Sequence, residues 1–249
     1  MRLKLIGCEV LYREICFAVA RSPHLVDVEF LPKGLHDLGG VAMQSRLQEV
    51  IDQVDSSQYE AVLLGYALCG NGLLGLNARA LPLVVPRAHD CIALLLGSHQ
   101  RYAEYFESHS GVYFRSPGWI ERGGNLEQAS NPILLKKVGV SYNLKELIEQ
   151  YGDENGRYLY DQFIQYQHHY RQLTYIEVGL EADNHFEQLA RQEAGQRGWA
   201  FEKINGSLVL FEQLVSGHWP EQDFLVVPRG FRVAATYDDN IIRAEESST

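Results

Sequence analysis

The sequence predicts an α/β fold, a mostly parallel sheet flanked by helices and arranged as two related α/β lobes, on three observations. Short, nearly continuous apolar runs such as 61–65 and 81–85 have the composition of strands covered on both faces. Between them lie longer segments whose apolar residues return every three or four positions, the period of a helix packed on a sheet. Turn-forming Gly, Pro, Asn and Asp punctuate the two kinds of segment, so the order is strand, helix, strand, helix, strand.

Residues 3–7 are the first expected strand and end at Cys8-Glu9. Residues 10–20 follow as a helix with Leu11, Ile15, Ala18 and Val19 on one face; Cys16 within it reads as core packing. A second strand over 26–31 stops at Pro32-Lys33-Gly34, and Met43, Leu47, Val50, Ile51 and Val54 repeat at helical spacing after it. The third strand, 59–66, runs into Ala67-Leu68-Cys69-Gly70-Asn71-Gly72. The fourth, 81–85, runs into Pro86-Arg87-Ala88-His89-Asp90-Cys91. Asp90 is placed to cap a helix that begins near Cys91 and continues through Ile92, Leu95, Leu96, Tyr102 and Phe106. A short strand over 112–115 and a rigid loop, Ser116-Pro117-Gly118-Trp119-Ile120-Glu121, complete an N-terminal lobe of residues 1–125.

A helical connection or cleft wall is expected over 126–172, with a polar stretch over 122–131 and helices over 144–151 and 158–170. His168 and His169 are adjacent there and face different ways on a helix, a weak metal signal. The second lobe, 173–240, is expected to carry strands at 173–179, 199–204 and 224–227 and helices at 184–196 and 207–215. Its Leu-Val-Val-Pro-Arg at 225–229 repeats the same five residues at 83–87, an echo too short to establish duplication. The polar end, 241–249, reads as a flexible tail.

A formal charge of -10, from 32 acidic and 22 basic residues, opposes binding to a phosphate backbone and favours small ligands or protein partners. No apolar run approaches the roughly 20 residues that cross a bilayer, so membrane insertion is not expected. The N-terminal residues lack the pattern of a signal peptide, and a cytoplasmic location is expected. In a reducing compartment, four cysteines suggest thiols or metal ligands rather than a disulfide scaffold. Oligomeric state is open.

Cys8, Cys69 and Cys91 each lie at or just beyond the C-terminal end of an expected strand, where open α/β sheets place their ligands. Three soft thiolates suit an iron-sulfur cluster, with zinc as the alternative; on a four-iron cluster they would leave one iron open. His89 is a fourth ligand, a proton carrier or a polar loop residue. Tyr66, Gly70, Asn71 and Gly72 are candidate substrate-binding residues, because a glycine-rich turn exposes backbone N–H groups or simply makes a tight connection. It is neither a Walker loop nor a dinucleotide fingerprint. Arg87 is the candidate binder of a carboxylate or phosphate. Trp119 is a pocket wall or a core residue, and His89, Asp90 and Glu121 are candidate proton-transfer groups. The competing chemistry is a nucleophilic Cys69 or Cys91 with His89 as base.

With Gly7-Cys8-Glu9, Gly65-Tyr66-Ala67-Leu68-Cys69-Gly70-Asn71-Gly72, Pro86-Arg87-Ala88-His89-Asp90-Cys91 and Ser116-Pro117-Gly118-Trp119-Ile120-Glu121 together, the chain resembles domain-of-unknown-function family number 1638. The resemblance extends through Glu193-Ala194-Gly195-Gln196-Arg197-Gly198-Trp199 and Phe224-Leu225-Val226-Val227-Pro228-Arg229-Gly230. It implies a common α/β architecture with a ligand site in the first half, centred on Cys8, Cys69, His89, Asp90 and Cys91, and an association with methyl and corrinoid metabolism. Three functions follow as expectations. The first is an iron-sulfur or other thiolate-metal protein acting on a small anionic metabolite as a lyase, desulfurase, transferase or redox enzyme. The second is a metal-free cysteine enzyme. The third is a non-catalytic binder of a corrinoid, metal or small anion, docking to a corrinoid-linked or redox protein.

Overall fold

The computed structural model describes residues 1–109, 111–122, 148, 152–153, 170–236, 238 and 240–247. Apart from residues 148 and 170, the expected helices over 144–151 and 158–170 lie outside the described residues, as does most of the polar stretch over 122–131. The chain divides into two compact units. One comprises Met1–Tyr105, Val178–Leu180 and Asn205–Thr249; the other comprises Phe106–Glu177 and Glu181–Ile204.

The first unit opens with β1 (Arg2–Cys8), a 3-10 turn, α1 (Tyr12–Arg21) and β2 (Leu25–Leu31). A second 3-10 turn leads to α2 (Gly40–Asp52), followed by β3 (Ala61–Gly65) and β4 (Leu83–Pro86). β3 and β4 are buried at every position, as their unbroken apolar composition requires. The sheet order is β2-β1-β3-β4 with all three pairings parallel. One further strand, β8 (Phe224–Val227), joins β4 antiparallel, so the sheet is mixed rather than mostly parallel in every pairing. The two Leu-Val-Val-Pro-Arg segments are therefore neighbours in one sheet, with Leu83 opposite Val227 and Val85 opposite Leu225.

Gly7 and Gly65 lie opposite each other in the β1–β3 register. A Cβ on either would stand 2.7 or 2.8 Å from Ile15 Cδ1, so the paired glycines are what lets α1 lie close on the sheet. The helix expected to run from Cys91 to Phe106 is instead two. α3 (Cys91–Leu96) ends at Gly97 in the left-handed conformation, and α4 (His99–Ser108) starts two residues later.

The second unit holds a three-stranded sheet of β5 (Val112–Arg115), β6 (Gln172–Glu177) and β7 (Ala200–Asn205), with β5 and β6 parallel. The expected rigid loop after β5 is a short helix, α5 (Pro117–Arg122): buried Ser116 precedes it and accepts from the Trp119 N–H at 3.4 Å, and Pro117 fills the first helical position, where no N–H is needed. α6 (His185–Arg197) packs Ala190 and Ala194 against Leu173 and Tyr175. Its Glu193 forms a bidentate pair with buried Arg115, at 2.8 and 3.0 Å, and Gly198 closes the helix in the left-handed region.

Returning to the first unit, α7 (Val209–Ser216) packs on α1, β3 and β4. The end expected to be a flexible tail forms a strand: β9 (Phe231–Ala235) and β10 (Ile242–Glu246) pair antiparallel. Residues 75–78 run along β9 as a further partner, with Gly75 N donating to Val233 O and Ala78 N to Phe231 O, both at 2.8 Å. No helix among the described residues is long and apolar enough to cross a membrane.

Candidate functional site

In the order β2-β1-β3-β4 the chain winds outward one way from β1 and the other way from β3, and the crevice beyond their carboxyl ends is where such sheets bind ligands. Cys8 is the last residue of β1 and is buried at 8% exposure. Tyr66 directly follows β3, is 3% exposed, and its hydroxyl has no hydrogen-bond partner among the described residues. Cys69 belongs to the turn after it. Leu68 N and Cys69 N donate to Ala88 O and His89 O, each at 2.9 Å, which prolongs the β3–β4 pairing and holds the two predicted motifs side by side.

The turn is strained where the thiol sits. Cys69, Gly70 and Asn71 have φ of 44°, 67° and 72°, three successive left-handed residues of which only one is glycine. Its remaining glycine is demanded by packing: a Cβ on Gly72 would collide with Met43 of α2, and Gly72 N is used by Leu68 O at 2.8 Å. The start of α2 is fitted to the same turn, since a Cβ on Gly40 would lie 2.8 Å from Gly70 O.

Electrostatics tie the strand ends together. Burial pushes the Cys69 thiol up to about 12; Cys8 and Asp90 add to the rise, while backbone hydrogen bonds from Ala67 and Cys91 oppose it. Burial also raises Tyr66, with further contributions from Cys8, Cys69 and Glu9. Cys69 thus feels Cys8, Asp90 and the backbone of Cys91, and Tyr66 feels Cys8, Cys69 and Glu9. All four cysteines are thiols rather than disulfides. Among the described residues no three His, Cys, Asp or Glu side chains form a group that could hold a metal ion. A three-cysteine centre therefore requires at least one of Cys8, Cys69 and Cys91 to turn from the arrangement described.

Asp90 caps α3: its Oδ1 accepts from Ile92 N at 2.9 Å and from Ala93 N at 3.2 Å, and its Oδ2 accepts from Tyr102 Oη at 2.7 Å. Burial, followed by the bond to Asp90, pushes the Tyr102 phenol upward. His89 is an exposed residue whose ring lies 5.3 Å from that of His99. Partial burial and His99 lower its pKa, with Asp90 opposing. Sequence reasoning missed His99 and Tyr102 as neighbours of this site. The signal was Gly97-Ser98, a helix breaker that sets α4 on a new course.

Arg87 is committed elsewhere in the first unit. Its Nε donates to Glu221 O at 2.8 Å, and Nη1 donates to Asn240 O at 2.7 Å and to Ile242 O. It lines a cavity of about 530 Å³ with Thr236, Asp238 and Arg243. Another cavity, of about 240 Å³, lies beside Val62 and Leu81, at the opposite end of β3 from the thiols. Trp119, half-buried, and Glu121, exposed, belong to α5 of the second unit.

Residues 30–215 match the family model described as a protein of unknown function, DUF1638. Cys69, His89, Asp90 and Cys91 fall within that span, whereas Cys8 precedes it and β8 follows it. No curated protein and no solved structure matches the chain. With about three quarters of its length aligned to that model, the chain belongs to the DUF1638 family.

Proposed function

We propose that the crevice beyond β1, β3 and β4 is a thiolate centre for a soft metal, an iron-sulfur cluster with zinc as the alternative, and that it handles a small anionic metabolite. Cys8, Cys69 and Cys91 would hold the group, which would supply Lewis-acid or redox chemistry when bound. The observation that carries the reading is placement: Cys8 ends β1, Cys69 lies in the turn after β3 with its N–H on His89 O at 2.9 Å, and Cys91 starts the helix after β4, all at the winding reversal of the sheet. A strained, left-handed Cys69 adds to it, because such backbone outliers concentrate at functional sites. His89, kept toward its neutral form by partial desolvation of its ring and by His99, suits proton transfer at the rim. A role beside methyl or corrinoid metabolism, a cytoplasmic location and a corrinoid-linked or redox partner belong to the same proposal.

A metal-free nucleophile at Cys69 fits less well, since a thiol pushed up to about 12 is almost wholly protonated at neutral pH; Cys91 is the other thiol on which that second reading would rest. The test is iron, sulfide and zinc analysis of protein purified and reconstituted without oxygen, with Cys8→Ser, Cys69→Ser, Cys91→Ser and, as control, Cys16→Ser. Loss of metal in the first three variants and retention in the fourth supports the centre. Full metal in all three single variants, or none in the parent protein after reconstitution, rejects it.

A further inference from the structure

We infer that Tyr66 is the hydrogen-bond donor that receives the inner end of the bound molecule, and that this end is an uncharged acceptor, a carbonyl oxygen or a thiocarbonyl sulfur. The inference rests on the reading that the crevice holds a small ligand. It does not depend on the metal.

The first support is the hydroxyl itself. Tyr66 is 3% exposed at the end of β3, and its Oη has no hydrogen-bond partner among the described residues. A buried hydroxyl without a partner lowers the stability of the fold that contains it, because it has given up water and gained nothing in return. A phenylalanine would fill the same volume without that loss. The hydroxyl is thus a group whose use lies outside the ligand-free chain.

The second support is its surroundings. Cys8, Cys69 and Glu9 all act electrostatically on Tyr66, and Glu9 accepts from Lys33 N at 2.7 Å. A carboxylate or phosphate brought to Tyr66 would be desolvated beside the acid Glu9 and two thiols. The arginine expected to neutralise an anion, Arg87, donates to the carbonyls of Glu221, Asn240 and Ile242. A neutral acceptor gains the Tyr66 O–H without either penalty. A charged group elsewhere on the same metabolite would then face outward.

The third support is the company of sulfur. Cys69 lies three residues beyond Tyr66, and the two interact electrostatically. A ligand seated on the Tyr66 hydroxyl therefore comes within range of the thiol group that the proposed chemistry uses, which makes Tyr66 a binding and positioning residue.

The test uses full-length parent protein and Tyr66→Phe with three small probes of similar shape: acetamide, thioacetamide and acetate. Binding is read by saturation-transfer NMR at millimolar concentration and by protection of Cys69 from alkylation, and thermal unfolding is recorded without probe. Expected is binding of acetamide, thioacetamide or both to the parent, weaker or no binding of acetate, and about a tenfold loss in Tyr66→Phe, the scale of one hydrogen bond. The ratio of the two neutral probes distinguishes oxygen from sulfur. The Tyr66→Phe midpoint should equal or exceed the parent's. The inference is overturned if acetate binds as well as the amides, if no probe binds, if the variant binds like the parent, or if it melts several degrees lower, which would make the hydroxyl structural. Metal content of the same preparations is measured separately, so a metal-free protein that still selects the neutral probes rejects the metal centre and leaves this inference standing.

Discussion

Cys69 is a half-buried residue that joins a backbone conformation costing on the order of 1–3 kcal/mol to a desolvated thiol, so its chemistry should be readable by pH alone. With its pKa pushed from 9.0 up to about 12, alkylation by iodoacetamide should be very slow at pH 8 and rise about tenfold per pH unit past pH 9, where an ordinary thiol levels off. A rate that plateaus near pH 9 would refute the buried thiol. The sign for stability follows from the same shift. The folded state holds the proton more tightly than the unfolded one, so the contribution is complete below pH 9 and is lost as pH climbs from 9 to 12. Cys69→Ser should flatten that alkaline decline in urea unfolding. Arg87 teaches the opposite lesson about sequence. Strand-end cysteines were legible because turn residues mark where buried runs stop, whereas the partners of Arg87 are main-chain carbonyls 134, 153 and 155 residues away and leave no local trace. Arg87→Lys, unable to span three carbonyls with its single ammonium, should destabilise by roughly 1–3 kcal/mol, measured as a shift in urea midpoint at constant slope. An unchanged midpoint would show that the carbonyl contacts contribute nothing.

At the scale of elements, α1 is seated by what β1 and β3 lack. Gly65→Ala should push against Ile15 Cδ1 and the Gly7 Cα, 2.8 and 3.1 Å from the added carbon, at a cost of roughly 1–3 kcal/mol. Shortening the obstacle with Ile15→Val should recover part of that loss in the double variant, a coupling that independent sites would not show. Additive losses by thermal unfolding would mean that α1 yields without using Ile15. Such cross-strand pairing of glycines is invisible in the linear sequence, where Gly7 closes a strand and Gly65 reads as a glycine freeing the following turn. The helices were legible by periodicity but their boundaries were not. An apolar series from Ile92 to Phe106 conceals the left-handed Gly97, and Ser116-Pro117, which reads as the opening of a rigid loop, instead leads into α5. Asp90 was legible as a cap; its oxygens accept from Ile92 N and Ala93 N and also from Tyr102 Oη. Asp90→Ala should therefore cost about 0.5–2 kcal/mol of stability, with amide exchange of Ile92 and Ala93 accelerated first.

For the first unit as a whole, the thiol-bearing turn is moored by the far end of the chain. Residues 75–78 follow that turn and are bonded along β9, Val233 N donating back to Leu76 O at 2.9 Å, and Ser247 Oγ donates to Asn77 Oδ1 at 2.7 Å. Arg87, following β4, is held by the carbonyls of Asn240 and Ile242 in the same ribbon. Both motifs that bring sulfur to the crevice are thus fastened by a ribbon whose second strand, Ile242–Glu246, falls in the stretch that reads as a flexible tail. Polarity misled there because strands of a two-stranded ribbon need not be apolar on both faces; their stability comes from pairing, which composition does not encode. Val233→Pro removes the N–H given to Leu76 and disturbs the β9–β10 register at Ala244. If the ribbon is a mooring, this variant should lose exchange protection at Gly75 and Ala78 and alkylate Cys69 faster at fixed pH, while amides of β1 and β2 keep theirs. Unchanged Cys69 reactivity alongside a loosened ribbon would mean that the turn holds its strained shape by itself, through its contacts with α2 and its bonds to Ala88 and His89.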